Sequence, residues 1–246
     1  DCLLSRGLGD VYKRQGKSRR FTEAGYALPK YRLPLHGRTV FFHVVKSFER
    51  YFQDDLFLFV VRRDHDVVEF LVRELQALGV KSFHIVELDG DTLGQADSVH
   101  RGLQALRSEE AVYVFNIDTI RPGFRKSALA DGAAGYLEVF EGEGEHWSFV
   151  EPGPDRSVLR TTEKERISNL CSDGLYHFAD ARVFDEAFEH QQRHQLLTRG
   201  EYYIAPCYNA LIERGARVAY ELIGPEQIVF CGTPQEYEAA VARPWE

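Results

Sequence analysis

LFLFVVRRDHDVVEFLVRELQALGVKSFHIVEL, residues 56–88, carries the fold signal from which the rest of the chain can be read. Leu56 to Val61 is an unbroken apolar run, the pattern of a strand buried on both faces. Val67 to Leu78 then repeats apolar residues at helical spacing, and Gly79 supplies a stop. Phe83 to Leu88 reads as the next strand and Gln95 to Leu106 as the next helix. Ala111 to Phe115 is another buried strand, ending at Asn116-Ile117-Asp118. Strand, helix, strand, helix, strand predicts an α/β fold, a Rossmann-like and mainly parallel sheet sandwiched by helices.

Beyond Asp118 the rhythm changes. Gly135 to Phe140 and Trp147 to Val150 read as strands joined by the turn EGEGEH. Ser157 to Thr162 and Gly174 to Phe178 add two more strands, and Ala181 to His190 and Pro206 to Glu213 add helices. Tyr220 to Ile223 and Ile228 to Phe230 read as short late strands before a last helix at Pro234 to Val241. No internal repeat, proline-rich linker or heptad pattern interrupts the chain. One domain over 16–246 is expected, with a nucleotide-binding half at 16–118 and a substrate-binding half at 119–246.

Composition narrows the function classes. With 246 residues and 44% hydrophobic content, the chain has material for a proper core. A net charge of -8 argues against general nucleic-acid binding. No apolar run reaches membrane-spanning length and no signal-peptide pattern is visible. Cys2, Cys171, Cys207 and Cys231 are scattered without CxxC spacing, so neither a zinc site nor a disulfide framework is expected. A reducing cytoplasm is the default location, and homo-oligomerisation is left open.

The first fifteen residues do not match the rest of the chain. Ser5 to Gln15, SRGLGDVYKRQ, reads as translated library-adapter sequence of the transposase type, and the chain contains no Met. Residues 1–15 are therefore read as a foreign tail and set aside from the fold. A phosphate-binding loop normally follows a buried strand, yet Val11-Tyr12-Lys13-Arg14-Gln15 carries charge there. The first strand is expected to be missing by truncation, with Asp10 to Gln15 as the segment that could enter its slot.

Gly16-Lys17-Ser18-Arg19-Arg20-Phe21, then Pro29-Lys30 and Leu33-Pro34-Leu35, resembles the first motif of the sugar-phosphate nucleotidyltransferases, the nucleotide-sugar pyrophosphorylases. The variant is most similar to capsule- and lipopolysaccharide-associated members and their phosphocholine cytidylyltransferase relatives. The resemblance implies a fold of the nucleotide-diphospho-sugar transferase type. It also implies transfer of a nucleotidyl group from an NTP to a sugar 1-phosphate, or a choline-like phosphorylated acceptor, with release of pyrophosphate. Gly16 and Ser18 would lie in a loop whose backbone N–H groups cradle phosphate oxygens, although many members carry glycine where Ser18 stands. Arg20 would bind the leaving pyrophosphate and Lys30 would place a point charge by the phosphates. Lys17 and Arg19 are read as surface decoration.

Thr92-Leu93-Gly94-Gln95-Ala96 resembles the family's base-reading segment, with Gly94 admitting the ring and Gln95 bonding its edge. Asp118 ends a strand, where open parallel sheets bind ligands, and the resemblance makes it a catalytic carboxylate and the ligand of Mg²⁺. Glu163 and Lys164 are expected on the acceptor's hydroxyls and phosphate, and Gly174 would offer it bare backbone. One departure stands out. Phe230, in Phe230-Cys231-Gly232-Thr233, occupies the place of a second metal-binding Asp, which leaves Glu226 or another acid to replace it.

Two rival readings stay open at this point. Asp89-Gly90-Asp91 is a D-x-D triplet, which suits a metal-dependent glycosyltransferase using a nucleotide sugar. Turns also favour Asp and Gly for backbone reasons. The third reading is a non-catalytic nucleotide-binding regulatory domain, which Phe230 would permit.

Overall fold

The computed structural model describes residues 2–5, 19–63, 66–107 and 109–244. In chain order its strands are β1 (Cys2–Ser5), β2 (Pro34–Leu35), β3 (Arg38–Thr39), β4 (Leu56–Arg62), β5 (Ser82–Leu88), β6 (Val112–Phe115) and β7 (Thr119–Ile120). They continue with β8 (Gly135–Glu141), β9 (Ser148–Pro152), β10 (Val158–Glu163), β11 (Leu170–Phe178), β12 (Val218–Leu222) and β13 (Val229–Phe230). The helices are α1 (Arg19–Glu23), α2 (Val40–Lys46), α3 (Val67–Leu78), α4 (Gln95–Leu106), α5 (Ala181–Arg193), α6 (Cys207–Glu213) and α7 (Pro234–Ala242).

The two-residue period of β4 explains the layering. Phe57, Phe59 and Val61 pack into one core and Leu58 and Val60 into another on the opposite face. β6 repeats this, with Tyr113 and Phe115 on the first side and Val112 and Val114 on the second. Val67, Phe70, Leu71 and Leu75 of α3 cover the first face, and Ala96, Val99 and Leu103 of α4 cover the second. Each large apolar side chain among them contributes about 1.5–3 kcal/mol of burial. Helices on both faces of a parallel core are thus dictated by strands with no polar side.

Among the described residues, nine strands share the main sheet, with the path β10-β9-β11-β6-β1-β4-β5 and with β8 and β12 branching beside β11. β1, β4, β5 and β6 run parallel, whereas β11 returns antiparallel against β6. This reversal separates the α/β half from the antiparallel half and opens a crevice at the strand ends.

The slot expected to be vacant is filled. Cys2–Ser5 lies between β4 and β6, with Leu3 in register with Leu58 on one side and Val114 on the other. The physical reason is polarity: Cys2-Leu3-Leu4 is apolar, as a central parallel strand must be, and Tyr12 to Gln15 is not. Asp10 to Gln15, the expected occupant, lies outside the described residues. A second difference is α2, whose Val40, Phe41, Val44 and Val45 are all buried. VFFHVV is a nearly unbroken apolar run, and a run without polar gaps shows no helical period.

Candidate active site

β6 ends at Phe115, and the next three residues deliver chemistry. Ile117 is buried in the core, so its neighbours Asn116 and Asp118 face the crevice. The crevice holds about 340 Å³, and its walls include Arg20, Lys30, Gln95, Asn116, Asp118, Glu163 and Gly174. Six residues singled out from sequence therefore share one cleft at the C-terminal ends of the parallel strands. Gly16 and Ser18 lie outside the described residues.

Lys30 opens a short 3₁₀ turn after Pro29, which holds an extended backbone. Its Nζ donates to Asp118 Oδ2 at 2.5 Å, with both side chains largely buried. The Asp118 carbonyl meanwhile accepts from Cys231 N at 2.8 Å, which ties β13's exit to the same point. Arg20, on α1, reaches the cleft from an exposed position. The Cys231 thiol is pushed up to about 12 by burial, then by Asp118 and Glu236, so it is a neutral thiol rather than a nucleophile.

Gln95 Nε2 donates to Asn116 Oδ1 at 2.8 Å. On its other side Asn116 fills the space a side chain on Gly174 would need, its Nδ2 lying deep inside contact distance of an added Cβ. Gly174, at φ +97, is therefore required by the position of Asn116. Gly94 is off the cleft wall. An added Cβ there would collide with the Tyr202 carbonyl oxygen and meet Tyr202 N at 2.7 Å, so the crossing 201–203 segment by itself requires a glycine.

The far wall comes from the antiparallel half. Glu163 Oε2 accepts from the Ser148 hydroxyl, whose oxygen lies 3.2 Å from Tyr176 OH. Burial raises the Glu163 pKa, opposed by the Ser148 hydrogen bond and Lys164. Lys164 does not itself line the cleft. Its Nζ donates to Tyr203 OH and sits 3.5 Å from Glu163 Oε1, so it supports two groups that do. At the base, Asp173 Oδ1 accepts from Leu175 N, while burial and then Glu138 raise its pKa well above the ordinary aspartate value. Ser148 and Asp173 escaped sequence reasoning, because only the return of β11 beside β6 and β9 brings them into the cleft, and Asn116, at the exit of β6, was read only as a strand end.

Phe230 packs at a tilt against Trp147 at 5.0 Å and Phe140 at 5.2 Å, forming an aromatic rim. Glu226 folds over its own turn, its carboxylate filling the space an added Gly224 Cβ would take, and stays off the cleft wall. Among the described residues no group of three His, Cys, Asp or Glu could hold a metal. Mg²⁺ needs fewer, since it keeps waters and shares substrate phosphates with one or two carboxylates. Asp118 and Glu236 meet that need. Both face Gly232, where an added Cβ would come 3.3 Å from Asp118 Oδ2 and from Glu236 Oε2, the oxygens that accept from Lys30 Nζ and Thr233 N, so the glycine keeps side-chain bulk away from both acids. The D-x-D triplet does not contribute: Asp89 pairs with Arg63 at 2.7 Å and Asp91 with Arg62 at 3.1 Å, away from the cleft wall.

A parallel sheet with a crevice of cations and carboxylates at its switch point defines a nucleotide-handling transferase. The profile of the MobA-like NTP transferase domain matches residues 16–150. The chain is 41% identical to the nucleoside-diphosphate-sugar pyrophosphorylase from Vibrio cholerae RC9, covering 98% of this chain and 99% of that one at a TM-score of 0.90. The chain belongs to the MobA-like NTP transferase family, within the sugar-phosphate nucleotidyltransferases, and is a nucleotidyltransferase. The fold is shared more widely. The inositol-1-phosphate CTP transferase from T. maritima matches at TM-score 0.71 and 16% identity, over 98% of this chain and 94% of that one. UTP-bound UGPase from Acinetobacter baumannii matches at 0.64 and 16%, over 98% and 91%. No curated protein matches the chain. Among the described residues no helix is long and apolar enough to cross a membrane.

Proposed function

We propose that the chain transfers a nucleotidyl group from an NTP to a sugar 1-phosphate, releasing pyrophosphate and making a nucleotide sugar. The acceptor phosphate oxygen attacks the α-phosphorus in line and the α–β bridging bond breaks. No covalent enzyme intermediate forms. The observation that carries this reading is the meeting of Arg20, Lys30 and Asp118 in one cleft whose opposite wall holds Glu163.

Each residue then has a role. Arg20 binds the β- and γ-phosphates as they leave, and Lys30 neutralises charge on the triphosphate. Gln95, steadied by Asn116, reads the base edge. Glu163 accepts hydrogen bonds from the acceptor's hydroxyls, and Lys164 holds Glu163 and Tyr203 in place. Asp118 would hold Mg²⁺, which when bound supplies neutralisation of phosphate charge. Catalysis is otherwise a matter of positioning. NTP and Mg²⁺ supply fit a cytoplasmic enzyme, and the motif variant fits a role ahead of capsule or lipopolysaccharide assembly.

The glycosyltransferase reading loses its motif, because Asp89 and Asp91 are taken up by arginines off the cleft wall. Pyrophosphate release, screened over the four NTPs and a panel of sugar 1-phosphates and phosphocholine with Mg²⁺, tests the proposal. Release that needs both one NTP and one acceptor is expected. Nucleotide binding without release from any pair contradicts it.

A further inference from the structure

We infer that Glu236 is the second protein carboxylate of the divalent-cation site, taking over from position 230. The inference rests on the nucleotidyltransfer reading above and adds a residue to it.

Position 230 is closed to a cation. Its phenyl ring packs between Phe140 and Trp147, at 5.2 and 5.0 Å, so this strand end offers an apolar face. Two residues later the same segment passes Asp118, held there by the 2.8 Å bond from Cys231 N to the Asp118 carbonyl. Gly232 then stands between two carboxylates. A Cβ on it would come 3.3 Å from Asp118 Oδ2 and 3.3 Å from Glu236 Oε2. Any larger residue would fill the space that a shared cation needs.

Glu236 is aimed into that space by its own helix end. Thr233 N donates to Glu236 Oε2 at 2.8 Å, and Glu236 N donates to Thr233 Oγ1 at 3.2 Å, a capping box that folds the side chain back toward the cleft. A carboxylate has about four lone-pair positions, so the cap leaves acceptor capacity. Two carboxylates with substrate phosphates and waters complete the shell that Mg²⁺ prefers.

The test uses Mn²⁺ as the probe, with its free concentration read by electron paramagnetic resonance. The intact chain is titrated in the presence of the α,β-methylene analogues of the four NTPs. Glu236→Gln keeps the capping box, so its melting temperature should match the unsubstituted chain. The expected result is a loss of about tenfold in analogue-dependent Mn²⁺ affinity for Glu236→Gln, a loss at least as large for Asp118→Asn, and none for Glu226→Gln. Unchanged Mn²⁺ affinity in Glu236→Gln, with Asp118→Asn impaired, overturns the inference and leaves the nucleotidyltransfer reading standing. No analogue-dependent Mn²⁺ binding by the unsubstituted chain overturns both.

Discussion

Lys30 and Asp118, 88 positions apart in sequence, are joined by a 2.5 Å contact between Nζ and Oδ2 at the end of β6. An ammonium and a carboxylate with side chains only 13% and 19% exposed cost desolvation, and their attraction only partly offsets it. Such a pair contributes little to stability and is well suited to a site where a polyphosphate and a cation replace both partners. Lys30→Ala should accordingly lower kcat/KM by about 10²–10³-fold. The melting temperature should also fall, because the Asp118 carboxylate keeps its burial and loses its partner, but the loss of turnover should far exceed what that fall explains. Steady-state kinetics beside a thermal melt checks both, and near-normal turnover removes Lys30 from the mechanism.

Glu163 faces the acceptor in this account, with Ser148 and Lys164 fixing its carboxylate. Glu163→Gln should raise KM for the phosphorylated acceptor about tenfold or more, as expected for a charged hydrogen bond, and leave KM for the NTP nearly unchanged. An equal effect on both substrates would move Glu163 out of the acceptor subsite.

Gly174→Ala should destabilise the fold through one identified contact. The new Cβ would collide with Asn116 Nδ2 at a φ of +97, so strain and clash add. Gly215→Ala is the control, since its φ is +78 and no atom lies within 4 Å of the added Cβ. About 2 kcal/mol or more is expected for Gly174→Ala and about 1 kcal/mol for Gly215→Ala, read by urea unfolding. Equal losses would show that Asn116 does not hold this position.

His177 gives a pH dependence with a definite sign. Its ring lies between Tyr113 at 4.6 Å and Tyr136 at 5.0 Å, and burial, then Lys126, pushes its pKa down to about 4 from 6.5. The unfolded chain takes up this proton near pH 6.5 and the folded chain only near pH 4. Its contribution is therefore complete above 6.5 and is lost as pH falls toward 4, by about 3 kcal/mol in all. His177→Phe should flatten the curve in that window. Parallel curves for the two proteins would show that His177 is not its source.

The parallel half was legible because its inner strands β4 and β6 are buried on both faces and its helices on one. Leu56 to Val61 and Val67 to Leu78 differ in period, and the structure keeps both nearly to the residue. The antiparallel half was legible as elements but not as a wall. Nothing in the spacing of Asn116, Ser148 and Tyr176 tells that β11 will return beside β6. Arg20, Lys30 and Asp118 were found through a motif, and the structure supplies the distance that a motif lacks. Gly94 and Gly174 were read toward ligands, yet their missing side chains make room for Tyr202 and Asn116. A sequence names the glycine but not the neighbour that requires it.

The most direct measurement traces the fate of label from the NTP. With NTP labelled at the α-phosphorus, a sugar 1-phosphate and Mg²⁺, label should appear in a nucleotide sugar, while label from the γ-position leaves in pyrophosphate. Retention of both labels in one nucleotide, or a sugar moved from a nucleotide sugar to another acceptor under the same conditions, would contradict the account.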